Sequence, residues 1–428
     1  MAISSRALLA GALALAAALA HPAIAQPGAP LPQLFPADNW WNVEVSAAPV
    51  DPQSASILSF IGPGRGLHPD FGGDADPGDP SNPEIYGMVW VTVPGTQPLV
   101  PVVFDYDDES DAGAPGRPAG YPIPPAAIDQ ARWIEGGYPG NEDQGSDQHL
   151  LIVDRDRNLL FETWQTRYDP DRHRWEAGSG AVFDLASNAR RPEGWTSGDA
   201  AGLAILPGLV RYDEAFAGTP IRHAFRFTVR DTRPAHVFPA SHTACNSCPS
   251  QAPPMGARLR LKANKDISGY PAYIQRIFQA MKTYGLILAD NGTDMYISGA
   301  YDARWNNDEL NPAFASLEAG DFEVVQLGWK PSTGGRAPAA PSALAAVART
   351  SRRVRLTWRD NSSDEATFRV EMSRAGGAFS EIKSLPANTT TLLVTALAPN
   401  TRYSFRVRAR NPAGASSYSN RVDVSTPR

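Results

Sequence analysis

Cysteine is nearly absent: the chain of 428 residues has two, Cys245 and Cys248, in the stretch Ala-Cys-Asn-Ser-Cys-Pro. In an exported chain such a close pair reads as a small-loop disulfide. A redox role would place the pair at a helix start within a thioredoxin-like pattern, and none is visible. Zinc would need two further ligands, for which the scattered histidines His236 and His242 are the candidates. Long hydrophobic runs are also missing. The one apolar run, Ala7 to Leu19, falls short of the ~20 residues that a membrane span needs. Arg6 ahead of it and Ala23-Ile24-Ala25 behind it complete an export signal. Residues 1–25 are therefore expected to be removed, leaving a soluble, secreted chain in the periplasm or outside the cell.

The standard catalytic signatures are absent too. There is no His-Glu-x-x-His, no P-loop and no dinucleotide-binding glycine fingerprint. Ser179 and Ser197 do not sit in Gly-x-Ser-x-Gly, so a serine-hydrolase elbow is unsupported.

What the chain does have is glycine and proline, 36 and 39 residues, a mixture that favours strands joined by turns. Its charge is unevenly spread. The whole carries 39 basic and 45 acidic residues, yet Pro331 to Arg428 holds 15 basic against 6 acidic, about +9. The region between the signal and that end is left at about −16. An acidic region without a basic patch makes nucleic acid an unlikely partner. A basic end suits an anionic polymer, a cell surface or its own acidic neighbour.

The basic end reads as a β-sandwich. Val354-Arg-Leu-Thr-Trp358, Phe368-Arg-Val-Glu-Met372 and Tyr403-Ser-Phe-Arg-Val-Arg-Ala409 alternate apolar and polar residues between turn signals. Pro341-x-x-Leu344, Trp358, the run Leu397-x-x-x-Thr401-x-Tyr403-x-Phe405-x-Val407-x-Ala409-x-Asn411 and Gly414-x-Ser416 resemble a fibronectin type III domain. The resemblance implies an immunoglobulin-like sandwich over 341–428, with Trp358 and Tyr403 structural. It also implies a spacer or adhesion unit of the kind attached to polymer-degrading enzymes. A Gly/Ala/Pro linker is expected at 330–340.

The acidic region, 26–329, is expected to be a mainly β sandwich or barrel-like domain with a few helices. His149-Leu-Leu-Ile-Val153 and Leu159-Leu-Phe-Glu-Thr-Trp164 flank a polar turn and read as a hairpin. His223 to Arg230 and Ala257 to Lys262 alternate as half-buried strands. Pro271 to Tyr284 puts Ile274, Ile277, Phe278 and Met281 at helical spacing, with Gly285 as the stop. Leu286 to Ala289 reads as a strand, and Asp290-Asn291-Gly292 as a turn. The segments Trp175 to Leu185, Gly194 to Gly202, Ile205 to Glu214, Pro254 to Lys262 and Leu288 to Gly292 resemble a family of uncharacterised secreted proteins of soil bacteria. That resemblance implies export and no particular chemistry.

Candidate chemistry lies in the polar stretch Trp175 to Glu214. Trp175 and Trp195 are of the type that stacks on sugar rings. Asp184, Asp199 and Asp213 supply the carboxylates that a glycosidase pairs as acid and as nucleophile or base. His223 and His242 are candidate acid/bases, because histidine titrates near neutrality. In a lyase, Arg211, Arg258 and Arg260 would hold the uronate carboxylate. Against these stand structural roles: Asp199 as a cap, Asp213 at a strand end, His223 as a hydrogen-bonded core residue. No cofactor is expected. Asp70, Asp74, Asp76 and Asp79 have the oxygen ligands that calcium takes but not EF-hand spacing, so a solvated acidic loop is the expected reading. Asp105, Asp107, Asp108 and Asp111 call for the same caution. The expected function is a monomeric extracellular polysaccharide-degrading enzyme, a glycoside hydrolase or polysaccharide lyase. The alternative is a non-catalytic carbohydrate- or surface-binding protein.

Overall fold

The structure, a computed structural model, describes residues 26–27, 31, 33–79, 81–113, 118–142, 144–145, 147–245, 248–331, 337–362, 365–411 and 414–428. The expected signal peptide and part of the expected linker lie outside them. Strands β1 (Gln26–Pro27), β2 (His68–Asp70), β3 (Trp90–Val93) and β4 (Val102–Phe104) come first, with helix α1 (Ser54–Ile61) among them. Next come β5 (Leu150–Asp154), β6 (Leu159–Trp164), β7 (Arg167–Asp169), β8 (Arg174–Ala177) and β9 (Ser179–Asp184). Helix α2 (Tyr212–Phe216), β10 (Phe225–Val229), β11 (Arg258–Leu261) and α3 (Ala272–Thr283) follow. The region closes with β12 (Leu286–Asn291), β13 (Tyr296–Ser298), α4 (Asn307–Ala315) and β14 (Phe322–Val324). The chain is mainly β, as its turn-rich composition implies.

Side-chain alternation decides the layering, because successive strand residues face opposite sides of a sheet. In the sheet β1-β3-β5-β6-β9, Val91, Val93, Leu150, Ile152, Phe161 and Val182 face one core. The intervening Trp90, Leu151, Val153, Leu160, Ala181 and Phe183 face another. The first core is closed by the small sheet β4-β8-β7, which contributes Phe104, Trp175 and Ala177. The second is shared with the sheet β14-β11-β12-β10-β13-β2 through Phe225, Phe227, Leu259, Leu261 and Leu286 to Leu288. A sheet buried on both faces leaves no solvated side for charge. Any charged residue on its strands must find a partner inside.

The expected hairpin is β5–β6, antiparallel from Leu150↔Thr163 to Asp154↔Leu159. Helix α3 buries Ile274, Ile277, Phe278 and Met281. It stops at Gly285, whose φ is +76° and where a Cβ would sit 2.3 Å from the Leu259 carbonyl oxygen. A side chain there meets both backbone strain and a clash. The strand that follows runs further than its apolar pattern suggests. β12 continues through Asp290 and Asn291, because β10 pairs with it in parallel as far as Val229↔Asn291 after a local shift of register.

The C-terminal residues form a separate sandwich with its own core of Leu344, Val354, Leu356, Trp358, Phe368, Val370, Tyr403 and Phe405. Its strands are β15 (Ser342–Thr350), β16 (Arg353–Arg359), β17 (Thr367–Arg374), β18 (Ser380–Pro386), β19 (Thr391–Val394), β20 (Arg402–Asn411), β21 (Gly414–Ala415) and β22 (Val422–Ser425). One sheet is β15-β16-β19; the other is β18-β17-β20-β21, with β22 on β20. The Ala398 N–H donates to the Tyr403 hydroxyl at 2.9 Å, tying the loop before β20 to the core.

Trp175, a candidate sugar platform by sequence, is 4% exposed and packs edge-on against Tyr168. Truncating a buried tryptophan costs about 3–5 kcal/mol. Trp175→Ala should lower the melting temperature by several degrees without changing carbohydrate affinity, as read by calorimetry and titration. A native melting curve would remove Trp175 from the core.

Candidate functional site

The centre of the acidic region is a buried arginine. β10 carries Arg226 between Phe225 and Phe227, so its side chain leaves the sheet on the face opposite to theirs and is 4% exposed. The loop after β9 supplies Asp199, whose two oxygens accept from Nε at 3.0 Å and Nη2 at 2.9 Å. β12 supplies Asp290, which accepts from the same Nη2 at 2.9 Å. The Ser298 hydroxyl of β13 takes Nη1 at 2.6 Å. A second buried pair lies nearby. His149 Nδ1 bonds Glu135 at 2.6 Å, and Nε2 faces the Gly198 carbonyl at 2.9 Å. Both ring nitrogens meet acceptors, so the ring must carry two protons. Burial opposes that charge, but the Glu135 carboxylate outweighs it and pushes His149 up to about 9.

Charge counting then sorts the remaining acids. Asp199 balances Arg226, and Glu135 balances His149. Glu162 on β6 and Asp290 have no cation of their own. Glu162 accepts from the Ile205 and Leu206 N–H groups at 2.8 and 2.9 Å. Burial nonetheless pushes it up to about 7, the two backbone donors only limiting the rise. Asp290 is pushed up to about 7 by burial and then by the charge on Asp199, in spite of Arg226. Asp70 is raised by burial and by Glu135. A low-dielectric interior that holds more carboxylates than cations takes up protons to compensate.

The Asp290 side chain meets solvent, 22% exposed. It lines a cleft of about 560 Å³ together with Asp199, Ser197, Thr196, Glu109, Asp147 and His242. The aromatic side chains of the cleft are Tyr106, 51% exposed, and Trp164 at the end of β6, with ring centroids 6.4 Å apart. Trp164 Nε1 donates to Asp147 at 3.0 Å. His242 is oriented by the Ala200 carbonyl at 2.8 Å from Nδ1, which leaves Nε2 3.7 Å from a Glu109 oxygen. The Thr196 N–H holds that same oxygen at 3.1 Å. Thr243 and Ala244 at the rim precede the Cys245–Cys248 disulfide, whose Cα atoms are 6.0 Å apart. The cleft therefore offers a proton-holding carboxyl, a fixed Glu–His pair and an aromatic surface. Among the described residues its lining includes no arginine or lysine.

Of the residues singled out by sequence, the structure brings together Asp199 and His242 and places the others elsewhere. Asp184 is exposed at the end of β9, accepting from the Ala186 N–H. Asp213 starts α2 rather than ending a strand, 4.0 Å from Arg211. His223 bonds Glu214 and the Ala224 carbonyl, each at 2.9 Å, beside a separate cavity that Arg211 and Glu214 also line. Arg211 is tied to Glu214 at 2.6 Å. Arg258 and Arg260 correct the expectation of a uronate grip. Arg258 donates to the carbonyls of Trp40, Val43 and Tyr284, and burial pushes it down to about 9. Arg260 bonds Glu323 and the carbonyls of Val45 and Ala48. Both pin the segment 40–48 against β11. Trp195 is half-buried under the Arg191 guanidinium, 5.3 Å away. Of the suggested calcium loop, Asp74 pairs with Arg132 and Tyr301, while Asp76 and Asp79 accept from their own turns. Among the described residues no three His, Cys, Asp or Glu side chains gather as a metal-holding group.

Comparison with known proteins places the C-terminal sandwich. Residues 339–425 match the family model of the fibronectin type III domain. The C-terminal region is a fibronectin type III domain. Similar solved structures include one titled "Myokine structure", 20% identical, covering 22% of this chain and all of that one, with a TM-score of 0.20. The FN5 domain of Drosophila Lar is 22% identical over 21% of this chain and 98% of that one, with a TM-score of 0.19. The chicken CNTN1 FN1–FN3 domains are 20% identical over 21% and 31%, with a TM-score of 0.20. No curated protein matches the chain. Trp358 and Tyr403 are buried in the type III core, as expected of framework residues.

The protons held by Asp290 and Glu162 set a pH dependence. Each carboxyl is raised from an unfolded value near 4 to about 7, so between those limits the folded state binds a proton that the unfolded state has released. Stability contributed by these groups is present at about pH 4 and declines as pH rises to about 7. Asp290→Asn should flatten this decline in denaturant titrations run from pH 4.5 to 7. An unchanged slope would mean that Asp290 is ionised throughout.

Proposed function

We propose that the chain is an extracellular carbohydrate-active protein that hydrolyses glycosidic bonds in the cleft around Asp290. The observation that carries this reading is a carboxyl raised to about 7 and facing a cleft with an aromatic surface. A general acid works best when its pKa lies near the working pH. Asp290 would donate its proton to the leaving oxygen; burial and the neighbouring Asp199 carboxylate keep it protonated against the pull of Arg226. Glu109, held by Thr196 and facing His242, would take the proton of the attacking water. Asp199 has both oxygens engaged by Arg226, which favours water over a carboxylate as nucleophile. Tyr106 and Trp164 would stack on the sugar ring.

Among the described residues the cleft lining is acidic and holds no arginine, which favours hydrolysis over uronate elimination, since Glu109, Asp147 and Asp290 would repel an acidic chain. Neutral or amino-sugar polymers fit better. The type III domain and the disulfide are compatible with an extracellular location. Among the described residues no helix is long and apolar enough to cross a membrane. The second reading, a non-catalytic carbohydrate binder, uses the same aromatic pair and leaves Asp290 without a task.

The test is incubation with neutral, amino-sugar and uronate polysaccharides, reading reducing ends and the ultraviolet absorbance of unsaturated products. Cleavage of a neutral or amino-sugar polymer without unsaturated product is expected, with kcat/KM falling as pH passes about 7. Asp290→Asn should lower kcat about 10²–10⁴-fold with little change in KM, and Trp164→Ala should chiefly raise KM. Full activity in Asp290→Asn would sink the assignment. Binding without cleavage, lost in Trp164→Ala, would establish the non-catalytic reading.

A further inference from the structure

The type III domain segregates its charge between its two sheets. Among the described residues of the sheet β18-β17-β20-β21 most arginines are paired, Arg374 and Arg410 being the exceptions: Glu371 pairs with Arg406 and Arg408, and Glu381 with Arg369. Asp423 on β22, joined to the same sheet, takes Arg402 and Arg421. On the sheet β15-β16-β19 the pattern is different. Burial alternates strictly along β16, with Val354, Leu356 and Trp358 inside and Arg353, Arg355, Thr357 and Arg359 outside. β15 adds an exposed Arg349. Among the described residues none of these four arginines enters an ion pair, and no acidic residue lies on the three strands.

At a rise of ~3.3 Å per residue, the β16 arginines mark out a line about 20 Å long. Cross-strand register fills in the rest of the face. Arg355 lies opposite Val347 on one side and Leu393 on the other, 52% and 44% exposed. Exposed aliphatic side chains are rare on this protein, yet two of them flank the central arginine. The face is thus a line of guanidinium groups with apolar side chains beside its middle.

We propose that this face docks a uronate-bearing polysaccharide. A guanidinium fork matches a carboxylate bidentately. A line of such forks suits a polymer that carries repeated carboxylates. Val347 and Leu393 offer the C–H faces of the sugar rings an apolar contact that a purely ionic partner would not use. The cleft lies in the acidic region and carries Glu109, Asp147 and Asp290, so this polymer is an anchor and not the substrate. Attachment and turnover would then be served by surfaces of opposite charge.

The experiment uses the full chain in affinity electrophoresis and titration calorimetry with polygalacturonate, and with dextran and inorganic polyphosphate for comparison. Polygalacturonate should bind, dextran should not, and binding should weaken as salt rises from about 0.05 to 0.5 M. The variant Arg353→Ser/Arg355→Ser/Arg359→Ser should lose about ten-fold or more in affinity. The variant Arg369→Ser/Arg402→Ser/Arg421→Ser removes the same charge from the paired sheet and should change it less than about two-fold. Both should keep cooperative melting, and the first should retain turnover of a soluble cleft substrate. Equal losses in the two variants would reduce the effect to bulk charge and overturn the proposal. Tighter binding of polyphosphate would overturn the uronate assignment. A native chain that binds no polymer, but expands when the β16 arginines are replaced, would show the face to be covered by the chain's own acidic region.

Discussion

One buried cation organises the acidic region. Taking the Arg226 guanidinium out of water costs several kcal/mol, and a pair of that kind survives only with good geometry and further hydrogen bonds. Asp199 meets the fork with both oxygens, Asp290 accepts from one of its N–H groups and Ser298 from another, so the cation is satisfied from three separate segments. Those segments are the loop after β9, the end of β12 and the strand β13. The same Nη2 that bonds Asp199 also bonds Asp290 at the end of β12. Removal of Arg226 would leave two buried carboxylates facing each other across a vacated core position. The interaction that holds these elements together is therefore also the one that sets the electrostatics of the cleft.

The chemistry follows from an imbalance. Beside the cleft the buried cations are Arg226 and His149, and Asp199 and Glu135 are enough to neutralise them. Glu162 and Asp290 are left over, and these are the two carboxyls pushed up to about 7. They differ in what surrounds them. Glu162 is sealed and caps the backbone of Ile205 and Leu206, a structural task. Asp290 is open to the cleft. Burial supplies the raised pKa in both, and of the two only Asp290 faces the cleft.

Much of the fold was legible in the alternation of apolar residues. The hairpin β5–β6, the helix α3 with its glycine stop, and the type III strands all follow from local patterns of period two or 3.6. The cleft was less legible, because candidate residues were sought in the polar loops between Trp175 and Glu214. Asp199 and His242 are on loops, but Arg226, Glu162 and Asp290 sit on strands and were read as strand or turn. A signal was present. Phe-Arg-Phe at 225–227, Leu-Phe-Glu-Thr at 160–163 and Leu-Ala-Asp at 288–290 each place a charge in a strand otherwise made of core residues. In a sheet covered on both faces such a charge has to be paired. Which carboxylates meet Arg226 depends on contacts between residues 27 and 64 apart in sequence, and no local pattern encodes those.

The same reasoning separates arginines that build from arginines that are free to bind. Arg258 and Arg260 lie on a clean alternating strand, as Arg353 and Arg355 do, and sequence pattern alone does not tell the pairs apart. What differs is the second layer. β11 is covered by the segment 40–48, whose carbonyls absorb both guanidinium groups, and Glu323 completes Arg260. Among the described residues β16 has no ion-pair partner over its outer face, so its arginines keep their donors for something outside the chain. An arginine's role is set by whether another layer of backbone reaches it. In this protein that condition divides the structural cations of the acidic region from the exposed line on the type III domain.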